Sequence, residues 1–116
     1  VALRRASTTS DGEALSTFKI GDIEVDFLKR QVTSNGEELH LTPIEYKLLS
    51  TLIKYSGRVV THNHLLREAW GAEYSGETHY LRVYMAQLRR KMEKNPAQPK
   101  FLITEPGVGY RLRVDQ

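Results

Sequence analysis

The hydrophobic pattern of this 116-residue chain changes its period at residue 42, and that change restricts the possible folds. Before it, Ile23, Val25 and Phe27 alternate with acidic residues, which predicts a strand with one buried face. After it, apolar residues recur every three to four positions, which predicts helices. Strands followed by helices favour an α+β domain.

Turn signals divide the first region into short strands. Gly21-Asp22 and Asn35-Gly36 are turn dipeptides, and the second is a strong signal for a two-residue hairpin. Because Val32, Leu39 and Leu41 flank that turn, we predict a four-stranded antiparallel sheet across residues 18–41.

Three helices are predicted to follow the sheet. Thr42-Pro43-Ile44-Glu45 has the residues of a capping box with proline at the first helical position, and Gly57 is the expected stop. Thr61 begins a shorter helix that ends at Gly71, with Leu65, Leu66, Ala69 and Trp70 on its buried face, and residues 72–77 are expected to form a loop. The third helix is predicted over residues 78–94, with Leu81, Met85, Leu88 and Met92 in one apolar stripe.

A β-hairpin is predicted at the end of the chain. Residues 101–104 and 110–114 are rich in strand formers and bracket the glycine-rich tip at 105–109, while Val59-Val60 reads as a short extended link. The second and third helices with this hairpin make a winged helix-turn-helix. The predicted fold is therefore an α+β winged helix with an N-terminal four-stranded antiparallel sheet.

Positive charge is concentrated in the last third of the chain. The net charge is only +3, but residues 78–116 contain eight Lys and Arg against three acidic residues. A one-ended basic surface is typical of a nucleic-acid binder. The alternative is an ordinary solvated helix face.

The third helix presents an unusual combination opposite its apolar stripe. That face is centred on His79, Val83, Ala86 and Arg90, with Arg82 and Gln87 beside it. Arg and Gln can read base edges, His and Arg can hold phosphates, and small residues permit close approach. The pattern predicts a helix that enters the DNA major groove.

Other classes of function find less support. The chain has no cysteine, which excludes disulfides and thiolate sites, and no apolar run near the roughly 18 residues of a membrane span. His62 and His64 point apart on a helix, and no catalytic set of side chains stands out, so neither an enzyme nor a metal or other cofactor is expected. A winged helix that binds another protein remains the second hypothesis.

Four segments resemble one family. Residues 41–49 (LTPIEYKLL), 65–71 (LLREAWG), 88–92 (LRRKM) and 107–111 (GVGYR) are similar, in this order, to the OmpR/PhoB-type winged-helix domain of two-component response regulators. The resemblance covers residues 18–114. Residues 79–85 (HYLRVYM) and 101–105 (FLITE) resemble more closely the members that control potassium-transport operons.

The resemblance implies specific DNA contacts. Phosphate contacts are implied for Trp70, for the helix residues His79, Tyr84 and Arg89, and for the hairpin residues Thr104, Tyr110 and Arg111, whereas base contacts are implied for Tyr80, Arg82, Val83 and Gln87. Arg90 joins this set as a basic residue of the exposed face. Trp70 could also be core, and Tyr110 is the better candidate for hairpin core. Many members place Arg where this chain has Pro106, so entry of the wing tip into the minor groove stays open.

The resemblance also implies partners. It predicts that a tandem dimer binds double-stranded DNA at direct repeats and that residues 71–77 contact RNA polymerase. It also predicts that the protein controls a potassium-uptake operon and is located in the cytoplasm. Residues 1–5 are similar to the end of a receiver domain. We therefore expect residues 1–17 to be the end of an absent receiver domain and a flexible linker, and residues 18–114 to be the effector domain. A sensor kinase would act through the absent receiver domain.

Overall fold

The computed structural model describes residues 17–114 and divides them into two compact units with a boundary between His40 and Leu41. The predicted linker and receiver remnant at residues 1–17 lie outside the described residues, except Thr17, which begins the first strand. No helix in the described part is long and apolar enough to cross a membrane.

The first unit contains the predicted four-stranded antiparallel sheet. Its strands are β1 (Thr17–Ile20), β2 (Ile23–Asp26), β3 (Gln31–Ser34) and β4 (Glu37–Leu39), hydrogen-bonded in chain order. Ile23 and Val25 are buried, as their alternation predicts. Asn35 and Gly36 both have positive φ, 53° and 85°, as the central residues of a type I′ hairpin turn require.

The second unit begins with the predicted capping box. Helix α1 (Pro43–Lys54) has Thr42 as its N-cap. The Glu45 backbone N–H donates to Thr42 Oγ1 at 3.2 Å, and the Thr42 N–H donates to Glu45 Oε1 at 2.9 Å. Glu45 Oε1 also accepts from Lys91 Nζ at 2.6 Å, so this fully buried carboxylate ties the start of α1 to the third helix. The helix ends before the expected Gly57, which lies in the following turn with φ of 84°.

The helix-turn-helix is formed by α2 (His62–Ala69) and α3 (Thr78–Met92). Thr61 caps α2 through a hydrogen bond that its hydroxyl accepts from the His64 N–H, as predicted. A single 3-10 turn, Ala72–Tyr74, lies in the connecting loop. The predicted stripe of α3 is buried along its whole length.

Helix α3 ends two residues earlier than predicted because Glu93 is used to hold the next segment. Its carboxylate accepts the backbone N–H groups of Lys100, Phe101 and Leu102 at 2.8 to 2.9 Å. Glu93 is buried and lies in an extended conformation at the C-cap. The chain therefore leaves the helix before Pro96.

The wing is a three-stranded sheet rather than a simple hairpin. Strands β6 (Leu102–Glu105) and β7 (Gly109–Leu112) form the predicted hairpin, and the expected link at Val59-Val60 is strand β5 (Val59–Thr61), which pairs antiparallel with β7. Gly109 lies directly against β5, where a Cβ atom would be 1.9 Å from the Val60 carbonyl oxygen. Only glycine fits there, so the close pairing of β5 depends on it.

Candidate nucleic-acid interface

The face of α3 opposite its buried stripe is exposed along about three turns. His79, Arg82, Val83, Ala86 and Arg90 are exposed, and the large apolar side chain of Val83 keeps 41% of its surface accessible. This arrangement matches the sequence prediction. We call this surface, together with its flanking residues Tyr80, Tyr84 and Gln87, the exposed face of α3.

The polar groups best suited to reading bases are unengaged. Within residues 17–114, no hydrogen bond or ion pair involves the side chains of Arg82 or Gln87. Arg82 is exposed, while Gln87 is half-buried at the edge of the face. A guanidinium and an amide without internal partners can donate to, and in the case of the amide accept from, groups on another molecule.

Arg89 is placed differently from the rest of the predicted contacts. Its Nε and one terminal nitrogen donate to the Leu102 carbonyl at 3.0 and 2.8 Å, and the same terminal nitrogen donates to Thr104 Oγ1 at 2.5 Å. Glu93, one turn along the helix, accepts the Leu102 N–H. Since β6 is an edge strand, these two side chains satisfy backbone groups that have no neighbouring strand.

Tyr110 belongs to the core of the wing, as the sequence favoured. It is 4% exposed, and it shares a face of the sheet with Thr104, its direct cross-strand partner. The Arg89 guanidinium lies 5.7 Å from the Tyr110 ring centroid. Burial raises the pKa of the Tyr110 phenol, against the opposing influence of Arg89 and Arg82, so the ring is neutral at physiological pH.

Arg111 lies on the opposite face of the wing, paired with an acid. It follows Tyr110 in the strand, so its side chain points away from the core, beside Val59 and Ile103. Its Nε donates to Glu105 Oε2 at 3.0 Å. Among the three predicted wing contacts, Thr104 is therefore bound by Arg89, Tyr110 is buried, and Arg111 is held by Glu105.

Trp70 is half-buried at the C-cap of α2 and is the centre of an aromatic cluster that the sequence analysis did not identify. Its ring centroid lies 6.4 Å from Tyr74, 6.3 Å from Tyr80 and 5.3 Å from Tyr84. Tyr80 nevertheless keeps 45% of its surface exposed. The two tyrosines at positions 80 and 84, one helical turn apart, are the sequence signal that could have indicated this cluster.

The cluster and one hydrogen bond give the connecting loop (residues 71–77) a defined shape. The Gly76 N–H donates to Asn63 Oδ1 at 2.8 Å, and Gly71 and Gly76 adopt φ of 122° and 90°. Glu73 and Glu77 are exposed on this loop. The helix-turn-helix thus has a long, braced connection with an acidic surface.

Comparison with known proteins decides the family. The profile of the family described as "Transcriptional regulatory protein, C terminal" matches residues 36–112, which is more than half of the chain. The chain belongs to this family of OmpR/PhoB-type effector domains. Members of the family regulate transcription, and the domain is not an enzyme.

Curated relatives of this effector domain are response regulators. It is 46% identical over 111 residues to the KDP operon transcriptional regulatory protein KdpE of Escherichia coli, covering 96% of this chain and 48% of the relative. It is 44% identical to KdpE of Mycobacterium tuberculosis, covering 95% of this chain and 48% of that protein. The effector domain thus spans about half the length of these relatives.

Solved structures of similar domains share the winged-helix fold. The DNA-binding domain of Klebsiella pneumoniae RstA in complex with the RstA box aligns with a TM-score of 0.77 at 26% identity, covering 85% of this chain and 98% of that one. The Thermotoga maritima OmpR/PhoB homologue DrrB aligns with a TM-score of 0.79 at 26% identity, covering 93% of this chain and 50% of DrrB.

Proposed function

We propose that this effector domain binds double-stranded DNA at specific sequences and thereby regulates transcription of a potassium-uptake operon. The observation that carries the proposal is the exposed face of α3, where the Arg82 and Gln87 side chains make no hydrogen bond or ion pair among the described residues. A helix fits the major groove, where Arg binds guanine and Gln binds adenine through paired hydrogen bonds. Unengaged groups at this position are available for both contacts.

Phosphate contacts would come from the two ends of the same surface and from the aromatic cluster beside it. His79 and Arg90 are exposed on α3, and Tyr84 and Trp70 are half-exposed in the aromatic cluster beside it. Hydroxyl, indole, imidazole and guanidinium groups all donate to phosphate oxygens, which position a protein without reading sequence. The cluster holds the Trp70 and Tyr84 rings in fixed relative positions, which reduces the entropy lost on binding.

The finer assignment rests on the relatives. The two curated KdpE proteins support control of a potassium-uptake operon, since the first is named for the KDP operon. This chain spans about half the length of these relatives. We propose that the full protein also has a receiver domain, which accepts a phosphoryl group from a sensor kinase, and that it acts in the cytoplasm. We further propose that two copies bind direct repeats head to tail, about one helical turn of DNA apart.

RNA polymerase is the proposed partner of the 71–77 loop. The loop is braced by Asn63 and Tyr74, and it exposes Glu73 and Glu77 away from the helices' buried stripes. A rigid acidic surface can bind a basic patch of a second protein without a large ordering cost.

A salt titration of DNA affinity tests the function. If four to six phosphates are contacted, we expect log K to fall against log salt concentration with a slope of about −4 to −5. A protection footprint on the operon's upstream region should cover two adjacent half-sites at saturation. A slope near zero would reject DNA binding and favour a protein-binding winged helix, whereas protection of one half-site would reject only the tandem arrangement.

A further inference from the structure

We propose that Glu105 is a built-in competitor of DNA phosphate for Arg111, and that it limits the DNA affinity of the wing. This inference rests on the proposed DNA binding. In the structure the Glu105 carboxylate accepts from Arg111 Nε at 3.0 Å, and a DNA phosphate oxygen would be an anionic acceptor of the same kind for this N–H. On binding DNA, Arg111 exchanges one anionic acceptor for another.

The sheet geometry places the two side chains together. Arg111 pairs with Ile103, and Glu105 pairs with Gly109, so Glu105 and Arg111 are diagonal neighbours on one face. Gly109 has no side chain to separate them. Pro106 follows Glu105 and disfavours the helical backbone conformation there, so Glu105 keeps the extended backbone of β6.

The net charge of the wing is determined by this pair. Residues 102–112 contain one cation, Arg111, and one acid, Glu105, so the wing carries no net charge. The other seven basic residues of the last third lie on α3 or on the segments before and after the wing. A phosphate near the Arg111 face of the wing therefore meets the paired guanidinium and, if that guanidinium moves, the Glu105 carboxylate. The Arg89 guanidinium lies on the other face, with Thr104 and Tyr110.

The pair lies partly exposed at the protein surface, so its effects on folding and on DNA binding can be measured separately. The Arg111 and Glu105 side chains keep 25% and 33% of their surface accessible. The wing turn has its own backbone hydrogen bond, from the Val108 N–H to the Glu105 carbonyl at 3.0 Å. Glu105→Gln preserves the size of the side chain and a carbonyl acceptor while removing the charge.

The experiment measures DNA affinity of the domain and of Glu105→Gln on the operator and on random duplex. We expect the variant to bind both about two- to fivefold more tightly, the range that an ion pair at a protein surface contributes. Its salt slope should become more negative by up to about one. Glu38→Gln, which removes the same charge from strand β4, serves as the control and should change neither quantity by as much.

A double-mutant cycle separates competition from general charge repulsion. In an Arg111→Gln background, Glu105→Gln should give a smaller gain than in the wild-type background, because no guanidinium has to be released. Equal gains, or no gain in the wild-type background, would overturn the proposal. The nuclear magnetic resonance signal of the Arg111 Nε–H provides a direct measurement: it should shift in Glu105→Gln without DNA and in the wild type on DNA binding. If wild-type protein fails to bind DNA with a steep salt slope, the proposed function itself fails.

Discussion

The exposed face of α3 and the wing carry similar residue types but use them in opposite ways. On α3, Arg82 and Gln87 make no hydrogen bond or ion pair within residues 17–114. In the wing, the Thr104 hydroxyl accepts from Arg89, and Arg111 donates to Glu105. One surface keeps its polar groups available, whereas the other has them engaged within the protein.

This difference indicates how recognition is divided. A group without an internal partner gives up only hydrogen bonds to water when it binds a DNA base, whereas an engaged group must also give up a bond within the protein. We therefore expect sequence discrimination to come from α3. The wing then supplies phosphate contacts that are weak and independent of sequence.

The largest expected effect is the loss of discrimination on replacing Arg82. Arg82→Ala should weaken binding to the operator by about 1–3 kcal/mol, because a bidentate base contact is lost. Binding to random DNA should weaken far less, so the ratio of the two affinities collapses. Paired measurements on operator and random duplex at one salt concentration give this ratio.

Arg111→Ala is the matched variant on the wing. It should weaken binding to both duplexes alike and make the salt slope shallower by about one, since one phosphate contact is removed. If Arg82→Ala lowered both affinities equally while the wing variant erased the ratio, the division between helix and wing would be reversed.

An intermediate effect is expected at Arg89, which lies on α3 but binds the wing. Arg89→Ala should lower the free energy of unfolding by about 1–3 kcal/mol, because the edge-strand carbonyl of Leu102 loses its charged donor. Arg89→Lys keeps the charge but cannot reproduce the paired donation, so it should lose much of the same stability. Chemical denaturation measures both.

Arg90 provides the control for this test, since it is the next residue, exposed, and outside the contacts with β6. Arg90→Ala should weaken DNA binding with almost no change in the free energy of unfolding. Full stability of Arg89→Lys would show that Arg89 serves chiefly as a positive charge for DNA. Arg89 would then count as a further DNA contact of α3 and not as a support of the wing.

The smallest effect on DNA affinity is expected from the 71–77 loop, which belongs to neither surface. Replacing Glu73 and Glu77 with Ala should leave operator affinity unchanged and lower activated transcription, because a contact with polymerase is lost. A reporter assay beside a binding assay distinguishes the two. A parallel fall in both would mean that the loop supports the position of α3.

Local signals in the sequence predicted most of the fold. The capping box at Thr42 and Glu45, the turn at Asn35-Gly36 and the buried stripe of α3 are all confirmed. Each depends on residues close together in the chain. The exposed face of α3 was predicted for the same reason, because a helix places its faces by spacing alone.

Contacts between distant segments could not be predicted in this way. Pairing of Val59–Thr61 with β7 joins residues about fifty positions apart, and two or three apolar residues do not specify a partner strand. The engagement of Arg89 with Leu102 and the pairing of Lys91 with the buried Glu45 carboxylate are likewise long-range. In the sequence alone, these charged side chains cannot be distinguished from solvent-exposed ones, because their partners are brought near only by the tertiary structure.

The absent side chain of Gly109 sets the mechanical character of the second unit. Without it, β7 lies against β5, and β5 runs directly into Thr61, which caps α2. The wing is thus joined by strand pairing to the segment that begins the first helix of the helix-turn-helix. This pairing restricts movement of the wing relative to that helix. The helix-turn-helix and the wing therefore keep a fixed spacing, which bound DNA has to fit. A duplex whose groove dimensions differ from that spacing has to be deformed, and the deformation costs more free energy in stiff sequences.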